Sequence, residues 1–220
     1  RHTRLQGDWS SDVCSSDLIS DASLGNVEKN GSSGDNPMVK VFSQSAYIIL
    51  LGDKNLMAGK PGRFCVLDAR SHRLSRVCRS TFAAELLGVE EAFDNGIYVR
   101  GCVAECLGYK LDKNSLWEKN ADTIIEGGIT EVPLAVITDA KDVFDKGNSD
   151  TPSYGSQKSL AFTVSWLRAI LRLPNTSLQW TATENMLIDA LTKDMDLSHL
   201  HKVLQQGVWC AKFSKDFIKQ

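Results

Sequence analysis

Short β-prone runs alternate along the chain with longer stretches in which apolar residues recur at helical spacing. Runs of five to eleven residues bounded by turn-forming residues predict five strands, at residues 19–24, 41–51, 63–68, 134–138 and 177–181. The segment 25–39 is rich in Gly, Ser, Asn and Asp, which predicts a long hairpin loop between the first two strands. The pattern therefore places three strands together before any long helix.

Helical spacing is clearest after residue 80. Apolar side chains recur there at intervals of three and four, at Phe82, Leu86, Val89 and Phe93. Ser80 or Thr81 is expected to cap this helix, which is predicted to end between residues 101 and 108. Further helices are predicted at 160–171 and 185–192, and the polar stretch 110–130 predicts an irregular excursion. The order βββ-α-β-α-α-β-α predicts a mixed α/β domain.

Composition narrows the class of protein. The chain has 220 residues, 42% of them hydrophobic and 24% charged, which fits one globular domain with a sizeable core. Its net charge of −2 predicts that any nucleic-acid binding depends on a local basic patch. The sequence has neither an apolar run of about 18 residues nor a signal-peptide pattern. Six scattered cysteines without zinc spacing indicate reduced thiols, so we expect an intracellular protein with no membrane partner.

The first 18 residues differ from everything that follows. They have no apolar period, and residues 8–18 resemble, without a mismatch, a DNA adapter used in sequencing libraries and translated in frame. We therefore interpret residues 1–18 as a non-native, adapter-derived segment and exclude them from the fold. The natural domain is expected to begin at residue 19, and residues 196–220 are expected to form a C-terminal helical extension.

Four acidic residues stand where predicted strands end or helices begin: Asp21, Glu85, Asp139 and Asp189. Strand ends of an α/β sheet face a common crevice, and clustered carboxylates repel one another unless a cation holds them. Carboxylate oxygens suit Mg²⁺, which keeps coordination sites for phosphate. Two such ions about 4 Å apart can promote phosphodiester hydrolysis.

Around these carboxylates the sequence resembles a known family. The strings SDAS (20–23), RSTFAAELLGVEEA (79–92), ITDAKDVFD (137–145) and TATENMLIDALTK (181–193) resemble, in order, the four motif blocks of ribonuclease H domains in copia-type retrotransposon reverse transcriptases. The resemblance covers about residues 19–195. It implies a ribonuclease H-like fold, with a mixed five-stranded sheet flanked by helices.

The resemblance also implies a function. It identifies Asp21, Glu85, Asp139 and Asp189 as the catalytic, metal-binding carboxylates, with two Mg²⁺ ions, or Mn²⁺ in their place, as cofactor. The expected reaction is cleavage of the RNA strand of RNA–DNA hybrids during reverse transcription. The expected partners are the hybrid and an upstream reverse transcriptase domain of the same polyprotein, in a cytoplasmic particle or the nucleus.

One dense basic stretch, at residues 70–79, lies just before the helix that carries Glu85. Arginine side chains and a helix N-terminus both suit phosphate, and hydroxyl groups suit a minor groove that displays 2′-hydroxyls. The expected nucleic-acid-binding residues are Arg70, His72, Arg73, Arg76, Arg79, Ser80 and Thr81. The alternative is a solvated amphipathic strand without a ligand.

The sequence also departs from the family pattern. Ala140 and Lys141 follow Asp139 where the family often has Asn-Gln, and no histidine lies between Arg73 and His199 to assist product release. Lys193 is expected to pair with Asp189 four residues earlier or to touch phosphate.

Two other classes of protein stay open. One is a decayed, non-catalytic retroelement fragment that at most binds nucleic acid. The other is a Mg²⁺-binding receiver-type regulatory domain, which would leave the order of the four motif blocks unexplained. Retroviral-type integrases are disfavoured, because they carry their carboxylates in a different order and have a zinc module.

Overall fold

The computed structural model describes residues 15–28, 41–109, 131–151 and 158–213. The excursion predicted at 110–130 lies outside these ranges, as do residues 1–14 of the adapter-like segment and residues 29–39 of the predicted hairpin loop.

A mixed sheet forms the centre of the fold. Its six strands are β1 (Ser15–Glu28), β2 (Val41–Gly52), β3 (Gly62–Arg73), β4 (Leu134–Thr138), β5 (Thr176–Trp180) and β6 (Val208–Trp209). They lie in the order β5-β4-β1-β2-β3-β6, with β1 parallel to β4 and antiparallel to β2. The predicted five-stranded mixed sheet flanked by helices is confirmed, and the two-residue strand β6 extends it at one edge.

Strand β1 crosses the predicted boundary between residues 18 and 19. Ser16 to Ile19 pair in parallel with Leu134 to Ile137 of β4, while the other edge of β1 pairs with β2. These ladders use backbone N–H and C=O groups, which every residue except proline offers regardless of its side chain. The last residues of the adapter-like segment can therefore extend a strand that the fold requires.

The described residues also form five α-helices: α1 (Lys54–Met57), α2 (Thr81–Cys106), α3 (Lys141–Asn148), α4 (Ala161–Ile170) and α5 (Ser198–Gln206). Helix α2 begins as expected, because the Ser80 side chain caps it by accepting a hydrogen bond from the Ala83 N–H at 3.1 Å. None of the described helices is long and apolar enough to cross a membrane.

Apolar side chains pack on both faces of the sheet. On one face, Leu86 and Phe93 of α2 pack with Val136 of β4 and with the inner sides of α3 and α4. On the other face, Leu187 and Trp209 pack against side chains of β1 and β2, together with Leu200 and Val203 of α5. The predicted C-terminal extension thus contributes apolar side chains to the main core.

Helix α2 approaches the sheet closely at Gly88. A Cβ atom added there would lie 3.3 Å from Ala22 Cβ, 3.3 Å from Ser45 Oγ and 3.4 Å from Ser20 Oγ. The absent side chain therefore sets the separation between α2 and the strand that carries Asp21. Glu85 lies one helical turn earlier, on the same side of the helix.

Two predicted elements differ from the structure. Strand β3 runs to Arg73, because its pairing with β2 continues as far as Gln44, so Arg70, His72 and Arg73, which follow the predicted strand at 63–68, belong to β3. The prediction of a helix at 185–192 was wrong: this segment forms 3₁₀ turns at Thr183–Asn185 and Asp189–Leu191. Three consecutive residues between the turns, 186–188, are all buried, which one face of an α-helix cannot achieve.

Candidate active site

Asp21 occupies the middle of the sheet, on the central strand β1. It is 1% exposed. Its Oδ2 atom accepts a buried hydrogen bond from the Thr192 hydroxyl, whereas its Oδ1 atom is buried with no hydrogen-bond partner among the described residues. A carboxylate oxygen in this position is unfavourable without a compensating charge or donor.

Asp139 follows directly on the buried strand β4. The indole Nε1 of Trp180 donates a hydrogen bond to the Asp139 backbone carbonyl at 3.0 Å. The N–H of Ala140 donates to the Thr138 hydroxyl oxygen at 3.1 Å. These two bonds fix the backbone on both sides of Asp139 and hold its carboxylate at the carboxyl end of the parallel strands.

Asp189 begins the second 3₁₀ turn. Its backbone carbonyl accepts hydrogen bonds from the N–H groups of Thr192 and Lys193, at 3.1 and 3.0 Å. Its Oδ1 atom accepts a hydrogen bond from Lys193 Nζ at 2.8 Å. The predicted pairing of Lys193 with Asp189 is therefore present, formed along a tight turn instead of a helix.

These three aspartates converge, because one carboxylate oxygen from each of Asp21, Asp139 and Asp189 lies within 4.8 Å of the others. The fourth predicted residue, Glu85, stands beside this trio and accepts a hydrogen bond from the Ala22 N–H at 3.2 Å. The structure thus brings all four predicted carboxylates to one place.

The surroundings of the carboxylates disfavour their charged forms. Burial raises the pKa of Asp21 to about 7, a shift that the Thr192 hydrogen bond and Lys193 oppose and that Asp139 and Asp189 increase. Burial, together with the charges of Asp21 and Asp139, raises the pKa of Glu85 to about 9. Burial also raises the pKa of Asp139. A bound cation would offset this effect, because it favours the charged forms of the carboxylates.

Lys193 supplies positive charge to the same place. Its pKa is lowered by burial, but the hydrogen bond to Asp189 and the charges of Asp21, Asp189 and Asp139 outweigh this effect, so its pKa is raised overall. The ammonium group is therefore held in its charged form beside the carboxylates.

The donor set fits a divalent metal. Mg²⁺ and Mn²⁺ prefer oxygen ligands, and the cluster offers carboxylate oxygens from three chain segments. The buried Asp21 Oδ1, to which no residue in the described part of the chain donates a hydrogen bond, is the kind of atom that a metal ion would satisfy. Asp21, Asp139 and Asp189 could hold such an ion, with Glu85 adjacent.

The expected nucleic-acid-binding residues divide between the two faces of β3. Arg70 and His72 point toward α2, where both contact Glu91, with Arg70 Nη1 at 3.5 Å from Oε1 and His72 Nε2 at 3.2 Å from Oε2. Arg73 points to the opposite face and lies 4.0 Å from the centre of the Phe42 ring. Only one of these three strand residues therefore lies away from α2.

Register places Arg73 on the same face as Asp21. Arg73 pairs with Gln44, which pairs with Ser23, two residues after Asp21 on β1. On this face, Ser23 Oγ donates a hydrogen bond to the Thr192 carbonyl at 3.0 Å. Side chains two apart on a strand share a face, so Arg73 lies on the same face of the sheet as Asp21, two strands away from it.

The remaining residues of the basic segment surround the start of α2. Arg76, Arg79 and Thr81 are exposed. The Ser80 hydroxyl oxygen is used as the helix cap. Arg76 also lines a groove of about 250 Å³ whose other walls include Glu90 and Asp94, so acidic side chains stand close to it.

Several residues that shape the site were not predicted from the sequence. Thr192 donates a hydrogen bond to Asp21, and Trp180 donates one to the backbone of Asp139. Glu91 contacts both Arg70 and His72. Thr192 does stand next to Lys193 in the motif block 181–193, so its hydroxyl was a visible candidate for a contact within the site.

No protein-family model matches the chain, and no curated protein matches it. Among solved structures, the chain is similar to LC11-RNase H1, a ribonuclease H1 isolated from compost by a metagenomic approach, with a TM-score of 0.41 and 11% sequence identity. The superposition covers 86% of this chain and 98% of that chain.

Proposed function

We propose that this chain is a metal-dependent endonuclease that hydrolyses the RNA strand of RNA–DNA hybrids, and that it derives from a copia-type reverse transcriptase. The observation that supports this proposal most directly is the convergence of Asp21, Asp139 and Asp189 within 4.8 Å, with Glu85 alongside. These residues come from the four motif blocks that carry the family resemblance, in the same order.

In this proposal Asp21, Asp139 and Asp189 hold the metal, as two Mg²⁺ ions or Mn²⁺, and Glu85 supports them. The bound cations would supply positive charge that stabilises the phosphodiester transition state. A water oxygen attacks phosphorus and loses a proton to solvent, and the bond from phosphorus to the 3′ oxygen breaks. That oxygen takes up a proton, which leaves a 3′-hydroxyl and a 5′-phosphate.

The protein's own residues would position the hybrid. Arg73, on the same face as Asp21, is suited to bind a backbone phosphate, and Arg79 stands exposed at the N-terminus of α2. We propose that the upstream reverse transcriptase domain of the same polyprotein is the natural partner, in a cytoplasmic particle or the nucleus.

The test uses a labelled RNA–DNA hybrid with MgCl₂. We expect cleavage of its RNA strand and little cleavage of duplex DNA or single-stranded RNA. Asp139→Asn and Glu85→Gln should each abolish turnover, because each removes charge from the metal site. Asp142→Asn is the matched control, since Asp142 is an exposed aspartate three residues further on and should leave turnover unchanged.

Folding of each variant is checked by circular dichroism and thermal unfolding. Near-wild-type cleavage by the folded Asp139→Asn protein would contradict the proposed role of the carboxylates. Saturable hybrid binding without cleavage by the wild-type chain would support the alternative of a non-catalytic fragment.

A further inference from the structure

Lys193 places a positive charge inside the carboxylate site. Its Nζ atom lies 2.8 Å from Asp189 Oδ1, and Asp21 and Asp139 lie close enough for their charges to act on it. A lysine ammonium is a compact point charge, so it can neutralise clustered carboxylates as a small cation would.

We infer that Lys193 is a tethered counter-ion that occupies the carboxylate site in the metal-free protein and must give way when a metal binds. This inference rests on the metal site of the proposed function and goes beyond it. According to this inference, Lys193 sets the metal concentration at which the site becomes occupied.

The turn that carries Lys193 explains how both arrangements are accessible. The backbone N–H of Lys193 is fixed by its hydrogen bond to the Asp189 carbonyl at 3.0 Å, so the root of the side chain stays in place. The side chain itself is 33% exposed, and its flexible stem can carry the ammonium into solvent. A small movement of one side chain therefore separates the two states.

Two cations in one site repel each other, so Lys193 should weaken metal binding. In the metal-free state the same ammonium relieves repulsion among the carboxylates and should stabilise the fold. Metal affinity and metal-free stability are thus expected to change in opposite directions when the charge is removed. A salt bridge with only a structural role would change stability without increasing metal affinity.

The chain offers a matched control in Lys141. It forms an ion pair with Asp145 at the same spacing of four residues, with an Nζ to Oδ1 distance of 3.4 Å. Both side chains of that pair are more exposed, at 46% and 37%, against 33% and 12% for Lys193 and Asp189. Lys141→Gln removes the same charge from this more exposed pair, together with the contact of Lys141 Nζ with the Trp180 ring at 5.1 Å.

The experiment titrates MnCl₂ into wild-type protein, Lys193→Gln, Lys193→Arg and Lys141→Gln, and follows free Mn²⁺ by electron paramagnetic resonance. We expect Lys193→Gln to bind Mn²⁺ at least about tenfold more tightly than wild type, because a unit charge near the ligands is removed. Lys193→Arg, which keeps the charge, and Lys141→Gln should remain within about threefold of wild type.

Thermal unfolding in EDTA and in excess MnCl₂ provides the second readout. Lys193→Gln should unfold at a lower temperature than wild type in EDTA. Its unfolding temperature should also rise more than that of wild type when Mn²⁺ is added. If Lys193→Gln binds Mn²⁺ as tightly as wild type or more weakly, while wild type does bind Mn²⁺, this inference is overturned but the proposed function is not. Absence of saturable Mn²⁺ binding in every protein, wild type included, would overturn the metal site of the proposed function.

Discussion

The Thr192 hydroxyl donates a buried hydrogen bond to Asp21 Oδ2, which joins the turn near the end of the chain to the central strand near its beginning. Because this bond favours the charged carboxylate, it opposes the effect of burial on Asp21. It therefore connects the stability of the fold to the charge state of the candidate site.

Replacing Thr192 by Val should test this connection, since Val keeps the shape and removes the donor. We expect a loss of about 1 to 3 kcal/mol in the free energy of unfolding, because Asp21 Oδ2 loses its donor. The pKa of Asp21 should rise further, and Mn²⁺ binding at pH 7 should weaken. Urea denaturation and Mn²⁺ titration measure the two effects. Thr192→Ser, which keeps the hydroxyl, is the control, and an equal loss in both variants would show that the hydroxyl is not responsible.

The metal-free protein should lose stability as pH rises. Folding raises the pKa of Asp21 from 3.8 to about 7 and that of Glu85 from 4.5 to about 9. At a pH between the unfolded and folded pKa values of a group, the folded state binds more protons than the unfolded state. The free energy of unfolding therefore falls as pH increases, by up to about 1.4 kcal/mol per pH unit for each group. Unfolding in EDTA between pH 4 and 9 measures this decrease.

Glu85→Gln provides the matched comparison for the pH dependence. It removes the group with the larger shift, so its stability should decrease less between pH 5 and 9 than that of wild type. Excess Mg²⁺ should also make wild type lose less stability as pH rises, because a bound cation favours charged carboxylates. Identical pH profiles for wild type and Glu85→Gln in EDTA would contradict the assignment of the shift to Glu85.

Arg73 and Arg70 should differ in their contribution to binding of the hybrid. Arg73→Ala is expected to reduce the salt dependence of binding, by about 0.9 in the slope of log K against log salt, because one phosphate contact is lost. Arg70→Ala should leave the slope unchanged, because Arg70 points toward α2 and pairs with Glu91. Arg73→Ala together with Arg79→Ala should reduce the slope by roughly two. Fluorescence anisotropy from 50 to 300 mM KCl measures these slopes, and equal slopes for the two single variants would remove Arg73 from the interface.

Arg100 should be the most important charged residue for stability outside the site. It is 1% exposed, and its guanidinium donates hydrogen bonds to the Val132 carbonyl, to Thr176 Oγ1 at 3.0 Å and to the Pro174 carbonyl at 2.9 Å. Arg100→Met should reduce the free energy of unfolding by about 2 to 4 kcal/mol, because buried acceptors lose their donors. Arg168→Met is the control, since the Arg168 hydrogen bond to the Asp150 carbonyl is exposed. Urea denaturation should show a much smaller loss for the control.

Local patterns predicted the strands and the main helix well, because each is specified by its own residues. The run at 134–138 coincides with β4, and Ser80 caps α2 as expected. The turn at Asp189–Leu191 was not predicted, since it depends on burial of the three residues before it against the sheet. The extent of β3 was underestimated because its polar second half is held by pairing with β2.

For the site, the sequence could provide the four carboxylates but not their supports. Motif order identified Asp21, Glu85, Asp139 and Asp189 as a group, and the structure places them together. Contacts such as Thr192 with Asp21 join residues 171 positions apart, and no local pattern encodes such a pairing. The same holds for the contacts of Glu91 with Arg70 and His72, two of the residues predicted to bind nucleic acid.

The close approach at Gly88 has a consequence for how this site can vary. A methyl group there would meet Ala22, Ser20 and Ser45 at 3.3 to 3.4 Å, so these neighbours or α2 would have to shift by a few tenths of an ångström, close to the point where Glu85 contacts the Ala22 N–H. A residue with no functional group thus sets the spacing on which four functional groups depend. Mutational scans that replace only polar or charged side chains would overlook it, although one added carbon atom there would alter the packing of α2 beside every one of the carboxylates.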